Sequence, residues 1–179
     1  MVDNRRISVT QAQSVLDAHY LAADGLSGRQ IREQLEAEAL DASIYIAVDT
    51  LKYLKKGGRI TPAAAAVGTV LNLKPVLTIQ GDRLDAFAKV RGMKSAFRAM
   101  CRAVREDLDT RFAPLKEAGL LKLGMAETDM TKEEFGQWRD RFQECFPDME
   151  VLHSPLTMSI GCHTGSGALG VGLVRVHRP

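Results

Sequence analysis

His163–Gly172 reads HTGSGALGVG, and the fold turns on how this stretch is taken. Within it, Gly165-Ser166-Gly167-Ala168-Leu169-Gly170 matches G-x-G-x-x-G, the spacing of a dinucleotide-binding turn. That turn works between a strand and a helix, with an acidic residue about 20 positions on to hold a ribose. Here Val171-Gly-Leu-Val-Arg-Val176 follows, a Val-rich run that reads as a strand, and none of the nine residues after Gly170 is acidic. The nucleotide reading is therefore set aside. A tight turn between two strands, Leu156–Gly161 and Ala168–Val176, is one alternative. A glycine-rich ligand loop opened by His163 is the other.

Upstream, helices and strands interleave. Thr10-Gln-Ala-Gln13 offers a capping box for a helix carrying Val15, Leu16 and His19, and Asp24-Gly25 stops it. Ser27-Gly-Arg-Gln30 is a second capping box. Ile44–Val48 reads as a buried strand; Asp49 or Thr50 then caps a short helix that Gly57-Gly58 ends. Thr61-Pro62 starts another helix, running to Leu71, with Pro at its first position. Pro75–Ile79 and Leu84–Val90 pair as a hairpin across Gly81-Asp82, and Met93 to about Phe112 is a long helix. Leu121–Ala126 is a strand, Thr131-Lys-Glu-Glu134 caps a helix with Phe135, Trp138, Phe142 and Cys145 on one face, and Met149–His153 is a further strand. The pattern is α/β: a mixed sheet flanked by helices.

A chain of 179 residues, 45% apolar and 26% charged, suits one domain or slightly more, with a substantial core. The net charge of +2 does not mark a nucleic-acid binder. Cys101, Cys145 and Cys162 form no C-x-x-C pair and His19, His153 and His177 no metal spacing, so the expectation is a cytoplasmic protein without metal or cofactor. The N-terminal residues lack the apolar run of a signal peptide, and the longest apolar stretch, Pro62–Leu71, is too short to span a bilayer.

Four places can carry chemistry. In Lys55-Lys-Gly-Gly-Arg-Ile60, paired glycines let backbone amides approach a ligand, and Arg59 stands beside the helix start at Thr61, which suits an anion; a helix end followed by a solvated arginine is the alternative. From Ala86 to Arg105 there are six basic residues and no acid. Lys94, Arg98, Arg102 and Arg105 share one helix face, fit for an acidic protein partner or a phosphate; no aromatic residue is interleaved for base stacking, which argues against nucleic acid. The helix with Ala64, Val67 and Leu71 is apolar almost all round, so its small side chains either pack tightly or leave an apolar slot beside Arg59. His163, beside the glycine turn, can donate to a carboxylate, or is a structural residue. No nucleophile or general base is evident.

VDTLKYLKKGGRIT, LNLKPVLTIQGDRL, KVRGMKSA and IGCHTGSGALGVG occur in that order and together resemble the DegV family of bacterial fatty-acid-binding proteins, which includes the binding subunit of fatty acid kinase. The resemblance runs from Val2-Asp3 through the final strand. It implies two α/β lobes with a fatty acid between them and no catalysis by the protein itself; the bound acyl carboxylate is presented to a separate acyl kinase, which makes an acyl phosphate for phospholipid synthesis. Carried onto this sequence, it implies that His163 hydrogen-bonds the carboxylate and that Arg59, with Thr61 and Gly165, lies at the head group. It also implies that Ala64, Val67 and Leu71 flank the acyl chain, and that Arg91, with Lys94 and Arg98, docks the kinase or its phosphate. Two departures stand out. Ser166 replaces a frequent Pro, and the part of the family that holds further hydroxyl groups on the carboxylate is absent. Residues 1–48 are thus expected to be a remnant of an N-terminal lobe and 49–179 a C-terminal lipid-binding lobe. An apolar slot without its covering lobe favours a homo-oligomer. The alternative is a non-enzymatic interaction module that uses the basic helix 93–105 and binds no lipid.

Overall fold

The computed structural model describes residues 1–66, 73–79 and 83–178. In chain order the elements are α1 (Val9–Ala23), α2 (Gly28–Ala37), β1 (Ala42–Ala47), α3 (Lys52–Lys56), α4 (Pro62–Ala65), β2 (Leu73–Ile79), β3 (Leu84–Arg91), α5 (Met93–Asp109), α6 (Ala113–Glu117), β4 (Leu121–Glu127), α7 (Lys132–Cys145), β5 (Val151–His153), α8 (Met158–Thr164) and β6 (Leu169–Arg175). The six strands form one sheet in the order β3-β2-β1-β6-β4-β5. Among these described strands β4 and β5 run parallel, and the other strand pairs are antiparallel. The expected mixed sheet flanked by helices is the architecture observed. β1 lies before residue 48 and pairs with both β2 and β6, so the two expected segments share one sheet.

The period of two along each strand sorts side chains to two unlike faces. On the first face, Tyr45 and Ala47 of β1, Leu123 and Met125 of β4, and Leu169, Val171 and Leu173 of β6 pack against α5 and α7. From α5 come Phe97, Met100, Val104 and Leu108, spaced as a helix stripe; from α7 come Phe135 and Phe142. Phe97 meets Trp138 at 5.1 Å between ring centroids. Tyr45 donates its hydroxyl to Asp107 at 2.8 Å, tying β1 to α5; burial first, then that bond, pushes the phenol above its usual range. Among the described residues, the second face is covered at its two ends. α1 and α2 sit at one end, while α3, α4 and α8 sit at the other over a smaller cluster of Ile46, Val48, Leu54, Ile60 and Leu77.

The α1–α2 end is fastened by charge. Glu38 is 6% exposed and Asp17 1%. The Glu38 carboxylate meets Arg175 at 3.1 Å and His177 at 2.7 Å, and its carbonyl accepts from Arg6 at 2.7 Å. Arg175 also reaches Asp41 at 2.9 Å, and Asp17 accepts from Gln13 and from the His177 amide. Burial, the largest influence, lowers the Arg6 pKa, with the neighbouring carboxylates opposing it.

Several local expectations change. The strand expected at Leu156–Gly161 is instead α8. The chain leaves the sheet at Thr157, whose φ −63, ψ 160 is a cap conformation, and the amides of Ile160 and Gly161 fold back onto its carbonyl. Leu156, Ile160 and Thr164 fall four apart, a helical spacing, and all three face the same cavity. The capping box at Thr10–Gln13 does not form: α1 begins at Val9 behind Ser8, and the Thr10 hydroxyl donates to the Ile7 carbonyl at 2.8 Å. The long helix stops at Asp109, and buried Phe112 precedes the separate α6. The boxes at Ser27 and Thr131 form as expected, with reciprocal bonds to Gln30 and Glu134. The turn at Gly81-Asp82 and the helix beyond Ala66 lie outside the described residues.

Candidate functional site

Between the two covered ends of the second face runs an apolar groove. Its floor is made by absence of side chains. On β6, Leu169, Val171 and Leu173 face α5 and α7, so Gly170 and Gly172 face the other way; Gly124 stands opposite Gly172 on β4. Ile44 and Ile46 of β1 continue the floor. Ile7 and Val9 wall one side, and Leu84, Leu156 and Ile160 the other. The groove holds a cavity of about 80 Å³, several times what one water requires, on the order of 15 Å³. The hydroxyls of Thr10 and Thr164 turn to the carbonyls of Ile7 and Ile160, so they leave little for water to bond. A roomy, almost wholly apolar space of this kind suits hydrocarbon.

Polar groups gather at the α8 rim. His163 lies in the last turn of α8, between Ile160 and Thr164, which both face the groove. Its imidazole has no hydrogen-bond partner among the described residues and rests directly on Gly57, at the end of α3. The Arg59 guanidinium donates to the Gly57 carbonyl at 2.9 Å. The Arg59 carbonyl also accepts from the amide of Leu84, a residue that lines the groove, at 3.0 Å. The two residues therefore meet at one peptide, beside the groove. Among the described residues, one of the five guanidinium donors is used, on Gly57.

The glycine turn itself is clamped. Gly165 and Gly167 have φ of +79 and +73, a region that favours glycine. The Thr128 hydroxyl donates to the Gly165 carbonyl and accepts from the Ala168 amide, and Ser166 donates to Asp129 at 2.6 Å. The Tyr53 ring lies against Gly165. Asp49, beside Gly167, is held by Lys74 at 2.5 Å. The turn thus leads from a helix into β6, and no dinucleotide geometry is present at it.

The other expected residues fall as follows. Thr61 caps α4 by accepting from the Ala64 amide, and donates to Asp85 at 2.6 Å. That bond, then the Ala86 amide, lowers the Asp85 pKa. Ala64 is fully buried within the cluster of Ile46, Leu54, Ile60 and Leu77 and is not among the residues that line the groove. Val67 and Leu71 lie outside the described residues. Arg91, Lys94 and Arg98 are exposed at the end of β3 and the start of α5, and Arg98 donates to the Ser95 hydroxyl. Sequence reasoning missed the groove, because its residues come from seven separate segments. It also missed the contact of His163 with Gly57.

Among the described residues no cluster of His, Cys, Asp and Glu could hold a metal, and no helix is long and apolar enough to cross a membrane.

A family model described as an uncharacterised protein, DegV family, matches residues 1–176. A DegV domain-containing protein of Streptomyces coelicolor is 32% identical over 178 residues, covering 96% of this chain and 58% of its own. Among solved structures, a DegV family protein of Thermus thermophilus, described by its fatty acid binding, superposes with a TM-score of 0.79 at 29% identity, over 98% of this chain and 60% of that one. DegV of Bacillus subtilis, described as a fatty acid binding protein, superposes with a TM-score of 0.76 at 27% identity, over 97% and 59%. The chain spans less than two thirds of the length of each of these relatives.

Proposed function

The chain belongs to the DegV family, and from that premise we propose that it binds a long-chain fatty acid, with the carboxylate at His163 and Arg59 and the tail in the groove floored by Gly124, Gly170 and Gly172. One observation carries this reading: an apolar groove lined by Leu84, Ile160 and Thr164, with an imidazole next to Thr164 in the chain and a guanidinium residue bonded to Leu84 that meet at Gly57. The tail supplies affinity, at about 0.8 kcal/mol per buried methylene, and the imidazole and guanidinium donors set its direction. The relatives from Thermus thermophilus and Bacillus subtilis described as fatty-acid-binding support the same ligand class.

The proposed role is non-catalytic and cytoplasmic. The bound acyl carboxylate is offered to a separate acyl kinase, which supplies acyl phosphate to phospholipid synthesis, and exposed Arg91, Lys94 and Arg98 are the proposed docking surface. Their like charge, with no acid interleaved between Ala86 and Arg105, supports an anionic partner.

His163→Ala is the direct test of the head-group assignment. Titration of the protein with palmitate is expected to show affinity lower by roughly ten- to hundredfold, the range of a hydrogen bond to a charged group. Arg105→Ala, on α5 and bonded to the Cys145 carbonyl, is the comparison and is expected to leave affinity unchanged. Equal losses in the two variants would remove His163 from the site.

A further inference from the structure

Gly57 and Gly58 stand side by side at the end of α3, yet they differ in why each is glycine. Gly58 has φ +65, and nothing lies within 4 Å of where a Cβ would be. Its glycine serves the left-handed backbone, a conformation that Asn also tolerates. Gly57 has φ −80 and ψ −5, an ordinary helical conformation open to any residue. A Cβ there would stand 2.4 Å from Nδ1 and 2.7 Å from Cε1 of His163. No real Cβ sits so close to another atom, so a side chain at 57 and the imidazole in its present place exclude each other. The backbone at 57 does not need glycine; the ring above it does.

We infer that Gly57 is a positioning residue: its bare Cα is the seat that holds the His163 imidazole at the groove rim, while its carbonyl anchors Arg59 from the other side. The inference rests on the proposed fatty-acid reading for its consequence, but its structural half stands without a ligand. The Nδ1–Cε1 edge of the ring lies on Gly57, which leaves Nε2 as the nitrogen turned away from that peptide. The ring has no hydrogen-bond partner among the described residues, so its place is set by packing, of which the Gly57 contact is a part. Arg59 needs only the Gly57 carbonyl, which any residue supplies. A substitution at 57 therefore moves the imidazole and leaves the guanidinium anchor.

The test uses Gly57→Ala, with Gly58→Asn as the neighbouring control. In the ligand-free protein, the ring resonances of His163 in NMR spectra are expected to shift in Gly57→Ala and to stay in place in Gly58→Asn, with the resonances of His177 and His153 unmoved in both. Palmitate affinity is expected to fall in Gly57→Ala by about as much as in His163→Ala, roughly ten- to hundredfold. The double variant is expected to lose no more than either single one, since both remove the same interaction. Unmoved His163 resonances in Gly57→Ala would overturn the inference whether or not the protein binds palmitate. Additive losses in the double variant would overturn it as well. If His163 resonances shift but wild-type protein binds no palmitate, the seat stands and the fatty-acid reading falls.

Discussion

Glu38→Ala is expected to lower the unfolding free energy by about 3–5 kcal/mol, the loss typical of removing one partner from a buried charge network. Glu38 is nearly inaccessible, and its two carboxylate oxygens face Arg175 and His177. Removing the carboxylate leaves Arg175, whose Nε already lacks a partner, with Asp41 as its remaining acidic neighbour. For a chain of this length the loss corresponds to a melting temperature lower by roughly 6–20 °C. Asp140→Ala, which removes a well-exposed pair with Arg139, is the comparison and is expected to change stability by less than about 1 kcal/mol. A loss below about 1 kcal/mol for Glu38→Ala would mean the network behaves as a solvated array. The backbone carbonyl at 38 remains in this variant, so its bond to Arg6 beside the groove wall is expected to survive. Arg6 is held by the Glu38 carbonyl and the Ser14 hydroxyl, and Ile7 and Val9, which wall the groove, follow it directly.

Gly170→Leu is expected to abolish most palmitate binding while the protein stays folded. A Cβ at 170 meets Ala126 O and Tyr45 O at 3.7 Å and Ile46 at 3.9 Å, all ordinary contacts. The rest of a leucine side chain has only the groove to occupy. Displacing four methylenes at about 0.8 kcal/mol each removes about 3 kcal/mol, roughly a two-hundredfold loss of affinity. A side chain within a strand is otherwise preferred to glycine, so the melting temperature is expected to hold or rise. Gly172→Ala is the contrasting case. Its Cβ would stand 2.1 Å from the Ser43 backbone oxygen, so β1 and β6 must part, at about 1–3 kcal/mol of stability. Full palmitate affinity in folded Gly170→Leu would mean that the tail lies elsewhere.

Much of this architecture is legible in the sequence, for identifiable reasons. The Val-rich run after Gly170 is a strand in both, and the glycines before it form a turn. The stripe of Phe97, Met100, Val104 and Leu108 declares its helix because a long amphipathic period repeats many times. α8 escapes notice because it is short, holds a glycine, and mixes β-branched residues with helical spacing. Within it the period shows in just two residues, Ile160 and Thr164, with Leu156 in step just before the cap. The groove escapes for a different reason. Its walls come from separate segments, and the floor depends on which parity of β6 faces the covered side. The alanine run offered the more obvious slot, whereas the glycines of β6 open space on one face of the sheet or the other. Composition does not distinguish those outcomes; register does. The same holds at Gly57-Gly58, where two adjacent glycines serve space and backbone respectively.

Native mass spectrometry of the chain with palmitate tests the central claim most directly. The account predicts a one-to-one adduct on the wild-type protein, much weakened in His163→Ala and absent in Gly170→Leu. A wild-type protein without the adduct, or an adduct that survives Gly170→Leu undiminished, would contradict it.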